Sequence, residues 1–256
     1  MPNLDRKTIK DWKRARASAK SSYNPSNWEL MDLYDDMIID NHLTSVYDTR
    51  ILGVTNQSFK IKNSKNETDE DKTKLMIKPW LDDYLDAAME SLFYGYTCLQ
   101  FWMNSEGVVK TKEIPRRHVL PQKHIIVTQQ GDQKGLDYTQ EPFNKWIINI
   151  QLKKGLGILE KASVSVIPKR DSIGSWGTYE NRFGIPLIIA KTANTAAKYM
   201  KELGNWLMDL GQAAFGVFPK GTDIEIKESA GQGNHQVFDG KIDRMNLELS
   251  TLVSGQ

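Results

Sequence analysis

The chain has 256 residues and a mass of 29.2 kDa, enough to bury a real core in one or two domains. Its 34 Lys and Arg against 32 Asp and Glu leave a net charge of +2, unlike the strongly basic balance of a protein that grips many phosphates. A single cysteine excludes an internal disulfide framework and a thiolate zinc cluster, and no apolar run reaches the roughly 18 residues a membrane-spanning helix needs.

The chain opens with a basic arm, residues 1–25. Seven cations (Arg6, Lys7, Lys10, Lys13, Arg14, Arg16 and Lys20) outnumber Asp5 and Asp11 there, and Leu4, Ile9 and Trp12 are the few bulky apolar residues. An ordered arm lying on a neighbouring subunit or on nucleic acid is one reading. A solvated, partly disordered terminus is the simpler expectation. The charged N-terminus is unlike a signal peptide, which places synthesis in the cytosol.

Ser26 and Glu29 have capping-box spacing, and Leu30, Leu33, Tyr34, Met37 and Ile38 then fall on one helical stripe. His42 is expected near the end of that helix, on a different face from Asp40. Residues 56–78 alternate in charge and read as a solvated connector, lacking the internal glycine and terminal glutamate of a calcium loop. Pro79 opens a second helix that carries Leu81, Tyr84, Leu85, Ala88 and Leu92, and Gly95 ends it. Strands are predicted at 96–103, 108–109, 124–128 and 146–150, with a turn-rich connection over 129–135.

Leu156, Leu159, Ala162 and Val166 resume helical spacing. Pro168 predicts a bent or two-piece helix, because it lacks the N–H donor and clashes one turn back. Ile173, Trp176, Tyr179 and Phe183 take the period up again, weakened by Gly174 and Gly177. From Thr192 another helix is predicted through Ala193, Ala196, Ala197, Met200, Leu203, Leu207 and Leu210, ending near Gly211. A hairpin follows, with strand 215–218, a turn at 219–221, and alternating Ile224 and Ile226. Last come Phe238, Ile242, Met245, Leu249 and Leu252, an a/d-like seam in a helix of about five turns.

Catalytic chemistry is hard to find. There is no phosphate-binding glycine loop followed by Lys-Ser or Lys-Thr, which excludes an ATP-driven motor of that type. Gly155-Leu-Gly is only a fragment of a dinucleotide fingerprint. His42, His118, His124 and His235 show no ligand spacing. Asp82, Asp83 and Asp86 decorate the polar side of the second helix, where solvation is the simpler role. Arg116-Arg117-His118 reads as a strand-edge charge cluster, and Cys98 as a small buried residue. No catalytic or metal-binding residue and no cofactor is assigned.

One stretch has an order of its own. Gly155-Leu-Gly-Ile-Leu-Glu-Lys-Ala leads through Lys169-Arg170 to Trp176-Gly-Thr-Tyr-Glu-Asn-Arg-Phe-Gly-Ile-Pro186. Ala214-Phe-Gly-Val-Phe-Pro-Lys-Gly-Thr-Asp-Ile-Glu-Ile226 follows, and the chain closes on Leu249-Ser-Thr-Leu-Val-Ser-Gly-Gln256. These segments resemble, in the same order, the portal proteins of tailed bacteriophages, and particularly the Mu-like branch. The last looks like the opening of a motif cut in its middle. The expectation is therefore a portion of a portal, without the tunnel-loop and crown segments.

The resemblance implies an α+β fold: a helix-plus-sheet wing over 26–154, a first stem helix region over 155–184, a small αβ clip over 185–232 and a second stem helix over 233–256. It also implies a ring-forming subunit, dodecameric, at the capsid vertex of a phage or prophage virion, assembled in the host cytoplasm. The ring would conduct double-stranded DNA during packaging and ejection and dock terminase and then a head-tail adaptor, beside major capsid and scaffold proteins, with no membrane partner. Lys161, Lys169, Arg170 and Arg182 are the stem positions expected to face DNA. Lys198, Lys201, Glu202, Asp209, Lys220 and Asp223 are the clip positions expected to meet terminase. On the residues alone, a packaging enzyme such as a nuclease and an unrelated α+β binding protein remain open alternatives.

Overall fold

Thr8 starts the first helix. Its hydroxyl accepts from Asp11 N at 3.2 Å while its own N–H donates to the Asp11 carboxylate at 3.0 Å, so the basic arm begins with a reciprocal cap. In the computed structural model, which describes residues 7–183, 187–192, 196–210, 222–227 and 235–255, helix α1 runs over Ile9–Ala19. Ala15 and Ala19 are fully buried, and α1 packs on α2 (Trp28–Met37). Over the described part of the arm, two alanines give it a flat side that lies on the fold, and residues 1–6 lie outside the described residues.

Leu30, Leu33, Tyr34 and Met37 are buried as the stripe predicted. Fully burying such side chains contributes about 1.5–3 kcal/mol each. The predicted capping box is absent: Asn27 occupies the cap position without a side-chain bond, and Glu29 binds Arg14 at 3.3 Å instead. The helix also ends sooner than expected, because Asp40 caps a new one. Its carboxylate accepts from Leu43 N at 3.0 Å and α3 runs over Asn41–Thr55, so His42 begins a helix rather than ending one. Within the charged connector, Asp69 caps a short helix, α4, over Glu70–Met76.

Helix α5 (Pro79–Tyr94) starts at its proline and stops at Gly95, whose φ of +94° only glycine adopts readily. Strand β1 (Thr97–Met103) is the centre of a sheet of order β2-β1-β6, with β2 (Val109–Ile114) and β6 (Ile147–Ile150) both antiparallel to it. Ala87 and Ala88 of α5 pack on Leu99 and Ile150 of this sheet. A second small sheet joins β3 (Val119–Leu120), β4 (Ile125–Ile126) and β5 (Leu136–Asp137).

Helix α6 runs without interruption over Leu159–Phe183 with Pro168 inside it, so of the bent and two-piece forms expected, the two-piece one is corrected. The carbonyl that Pro168 cannot bond belongs to Val164, a residue that is 53% exposed. Strand β7 (Leu187–Thr192), which the spacing did not predict, pairs antiparallel with β8 (Thr222–Lys227) from Leu187 opposite Lys227 to Thr192 opposite Thr222. The predicted partner strand 215–218 and its turn lie outside the described residues. Helix α7 covers Ala197–Leu210, and the last helix, α8, covers His235–Ser254.

The chain divides into two units, Met1–Arg170 with Asp243–Gln256, and Asp171–Ile242. The first holds the main core, where Leu30, Met31, Tyr34, Leu43, Phe93, Leu159, Val166, Leu249 and Val253 come together from α2, α3, α5, α6 and α8. In the second, α7 lies against β7 and buries Leu203, and the rings of Tyr199 and Trp206 meet edge-on at 6.1 Å.

Candidate functional site

Of the ten residues singled out in the sequence, Lys161, Lys169, Arg170 and Arg182 lie on α6. Its entry is a backbone-to-backbone fit. Gly157 has a φ of +83°, and a Cβ built there would stand 2.0 Å from the Phe93 carbonyl oxygen. Gly95 faces the same turn, where a Cβ would stand 2.8–3.0 Å from backbone atoms of residues 155–157. Ile158 N donates to Leu92 O at 3.1 Å, and the Tyr34 hydroxyl donates to Leu156 O at 2.8 Å. Gly157 of the Gly155-Leu-Gly segment thus serves the close approach to the α5–β1 junction, while a Cβ at Gly155 would meet nothing within 4 Å.

One turn later Glu160 is gripped by Arg16 at 2.5 Å and Lys20 at 2.9 Å. Burial pushes its carboxyl pKa up, but the hydrogen bonds from Lys20 and Arg16 outweigh it and the net is below the ordinary value. Two cations of the basic arm are therefore spent inside the chain. Further along, Ser163 Oγ sits 3.0 Å from Met37 Sδ.

Lys169 is 5% exposed, with its ammonium 2.7 Å from the Asp40 carboxylate. Next to it, Arg170 reaches the Asp36 carboxylate at 2.5 Å and also donates to the Asp36 carbonyl. Both were expected to face DNA; in this chain their charges are paired with carboxylates of the α2–α3 corner. Lys161 is exposed and enters no ion pair among the described residues. Arg182 lies on α6, but its side chain is outside the described set.

Of the clip positions, Lys198 and Lys201 are exposed on α7, one turn apart, with Glu202 half-buried beside them. Asp223 is exposed on β8. Asp209 lies in α7 with its side chain outside the described set, and Lys220 lies outside it altogether. The structure brings Lys198, Lys201 and Glu202 onto one stretch of helix.

Helix α8 is seated by Leu249 and Val253, both fully buried, as the seam predicted for Leu249. His42 Nε2 lies 2.9 Å from Ser250 Oγ, and Arg50 donates to the Val253 carbonyl.

Asp36, Asp40 and Glu160 were not singled out from the sequence. Asp40 carried a usable signal, as an acidic residue just before the apolar positions Leu43, Val46 and Tyr47 of a new helix. The Arg116 cluster also proves internal. Arg116 bonds Glu90 and Glu113, lies 4.1 Å from the Tyr94 ring centroid, and is 12% exposed at its side chain. Arg117 binds Asp35 at 2.7 Å. These two arginines tie Glu113 of β2 to Glu90 of α5 and Asp35 of α2.

Asp82, Asp83 and Asp86 stand on the exposed side of α5, and Cys98 is buried with its thiol pushed up to about 12 by desolvation. Among the described residues, no group of three or more His, Cys, Asp and Glu could hold a metal ion, and no helix is long and apolar enough to cross a membrane.

A mixed α+β unit that holds one end of each of two long helices, and a second unit in which a helix packs on a two-stranded antiparallel sheet, make up the fold. The family described as the portal protein of Mu bacteriophage matches residues 31–256, and the chain belongs to that family. It is 23% identical over 237 residues to the Mu-like prophage FluMu protein gp29 of Haemophilus influenzae, covering 84% of this chain and 45% of that protein, so the chain spans about half the length of the curated relative it matches. Its fold is similar to that of a chain in the neck of an empty gene transfer agent particle computed with C6 symmetry. There the TM-score is 0.61 at 13% identity, with 93% of this chain and 73% of the other covered. A chain of the native gene transfer agent virion gives a TM-score of 0.53 at 14% identity, with 94% and 73% covered.

Proposed function

We propose that this chain is the wing, stem and clip portion of a portal subunit, with the wing over 26–154, stem helices over 155–184 and 233–256, and the clip over 185–232. Its function is geometric. Copies close into a ring, expected to be dodecameric, at one capsid vertex of the virion. The stem helices surround a channel for double-stranded DNA, and the clip docks terminase during packaging and a head-tail adaptor afterwards. Assembly takes place in the host cytoplasm beside major capsid and scaffold proteins. No bond-making step is assigned to it.

The observation that carries the reading is the family match over residues 31–256. It is supported by the two long helices α6 and α8, each anchored at one end in the first unit by buried apolar residues and polar bonds. A ring needs two different, complementary patches on each copy. It also multiplies each exposed cation into a belt of charge. With Lys169 and Arg170 paired internally, Lys161 and Arg182 remain the stem cations proposed to meet DNA. Neither a nuclease nor an unrelated binding protein is favoured by any observation here.

The experiment is particle imaging by electron microscopy of the purified chain and of a version extended beyond Gln256. Rings with an axial hole are the expected result for the extended chain. A persistent compact monomer would refute the portal reading. Where rings form, Lys161→Glu should alter DNA translocation without altering ring diameter.

A further inference from the structure

The buried pair Lys169–Asp40 has no place in a simple account of stability. Its side chains are 6% and 5% exposed, and the ammonium sits 2.7 Å from the carboxylate. Replacing such a pair with apolar side chains of similar size is often neutral or stabilising, so its presence calls for another reason.

Its position supplies one. The stretch of α6 before it buries Leu159, Ala162, Ser163, Val166 and Ile167, and two of these are small side chains that resist sliding or rotation poorly. Pro168 removes a backbone bond in the same turn. Immediately after it, adjacent residues reach two different carboxylates. Lys169 goes to Asp40, and Arg170 goes to both the carboxylate and the carbonyl of Asp36. Neighbouring residues point about 100° apart around a helix axis at 3.6 residues per turn. Two bonds leaving in such different directions fix rotation as well as height, which one bond or an apolar stripe cannot do alone. Asp40 is itself rigid, since its carboxylate also caps α3 through Leu43 N at 3.0 Å.

We propose that Lys169–Asp40 and Arg170–Asp36 form a register lock that sets the rotation about its axis of the α6 segment Leu159–Arg170 within the first unit. Lys169 is thus a positioning residue, and its charge serves the chain's own geometry. The inference goes beyond the channel reading and does not depend on it.

The test uses the full chain carrying D40N and K169M. Asparagine keeps the helix cap, and methionine fills the lysine stem without charge. Spin labels go on D48C, exposed on α3, and on V164C, on α6 within the first unit, where the native side chain is 53% exposed. Cys98, fully buried, stays unlabelled. With D40 and K169 intact, the expected result is one narrow distance distribution. With D40N/K169M, the expected result is a thermal midpoint within about 5 °C of the parent, as for loss of a pair with little net worth, and a distribution at least twice as broad or split in two.

An unchanged distance distribution overturns the proposal, whatever the midpoint does. A changed distribution accompanied by a midpoint loss beyond that range also overturns it, and makes the pair a plain stabiliser. Lys169→Met alone, which strands the buried Asp40 carboxylate, should lower the midpoint more than the double change does.

Discussion

Substituting Gly157 with alanine is the sharpest test of how α6 is launched. Two costs add. An L-residue at a φ of +83° is strained by about 1–2 kcal/mol. The new methyl would also stand 2.0 Å from the Phe93 carbonyl oxygen and 2.5 Å from Gly95 N, backbone atoms that cannot swing aside as a side chain can. Relieving that overlap means moving the residue 155–158 turn away from the α5 terminus. The Ile158–Leu92 hydrogen bond then stretches and Leu156 and Leu159 repack, at about 1 kcal/mol for the bond and 1–3 kcal/mol for the packing. The sum is about 3–6 kcal/mol, a large part of the roughly 5–15 kcal/mol that holds a typical domain together.

At about 2–4 °C per kcal/mol for a domain of this size, the thermal midpoint should fall by roughly 6–24 °C. Circular dichroism melting measures it, with two controls. Gly155→Ala has a φ of +126° but nothing within 4 Å, so it should lose only the conformational part. Gly53→Ala, in an open helical position, should be neutral or gain up to about 1 kcal/mol. A Gly157→Ala protein that melts like the Gly155→Ala control would refute the close-approach argument.

Removing Arg116 as Arg116→Met should cost about 3 kcal/mol at neutral pH, the low end for breaking a buried pair because Glu90 and Glu113 keep some water. Burial already pushes the Glu113 carboxyl up against the opposing pull of Arg116, so its removal raises that pKa further. Acidifying from about pH 7 towards pH 5 should then recover part of the loss in urea titrations, since the folded state takes up the proton first. Glu160 has the opposite sign. Its lowered pKa contributes stability that is present above the ordinary glutamate value and lost as pH falls through the lowered one. Glu160→Gln should cost about 1 kcal/mol at neutral pH, and the gap from the parent should close in acid. The Cys98 thiol, buried and pushed up to about 12, should leave a thiol reagent unreacted at pH 8 until denaturant is added, when one equivalent should react.

What was legible in advance was local and periodic. The stripe Leu30, Leu33, Tyr34 and Met37 named a buried helix face, Pro79 and Gly95 marked the two ends of α5, and the seam through Leu249 named the face by which α8 is held. Each signal is carried within a few turns of chain, where side-chain spacing and backbone preference act directly. The order of glycine, tryptophan and proline segments also pointed to the portal family, which the match over residues 31–256 bears out. The charged residues were another matter. Lys169 and Arg170 look in sequence like free cations on a helix, yet they close on Asp40 and Asp36, more than a hundred positions earlier in the chain. Arg116 looked like an edge charge and lies between Glu90 and Glu113 over the Tyr94 ring. The β7–β8 pairing and the unbroken α6 were hidden for a related reason. Strand partners and the tolerance of a proline depend on what stands across the gap, and hydrophobic spacing reports only that something does. The sequence alone thus determined which stretches are buried and which family the chain joins. Tertiary structure alone decided where the charges are spent, because a charge takes whichever partner the fold brings within reach.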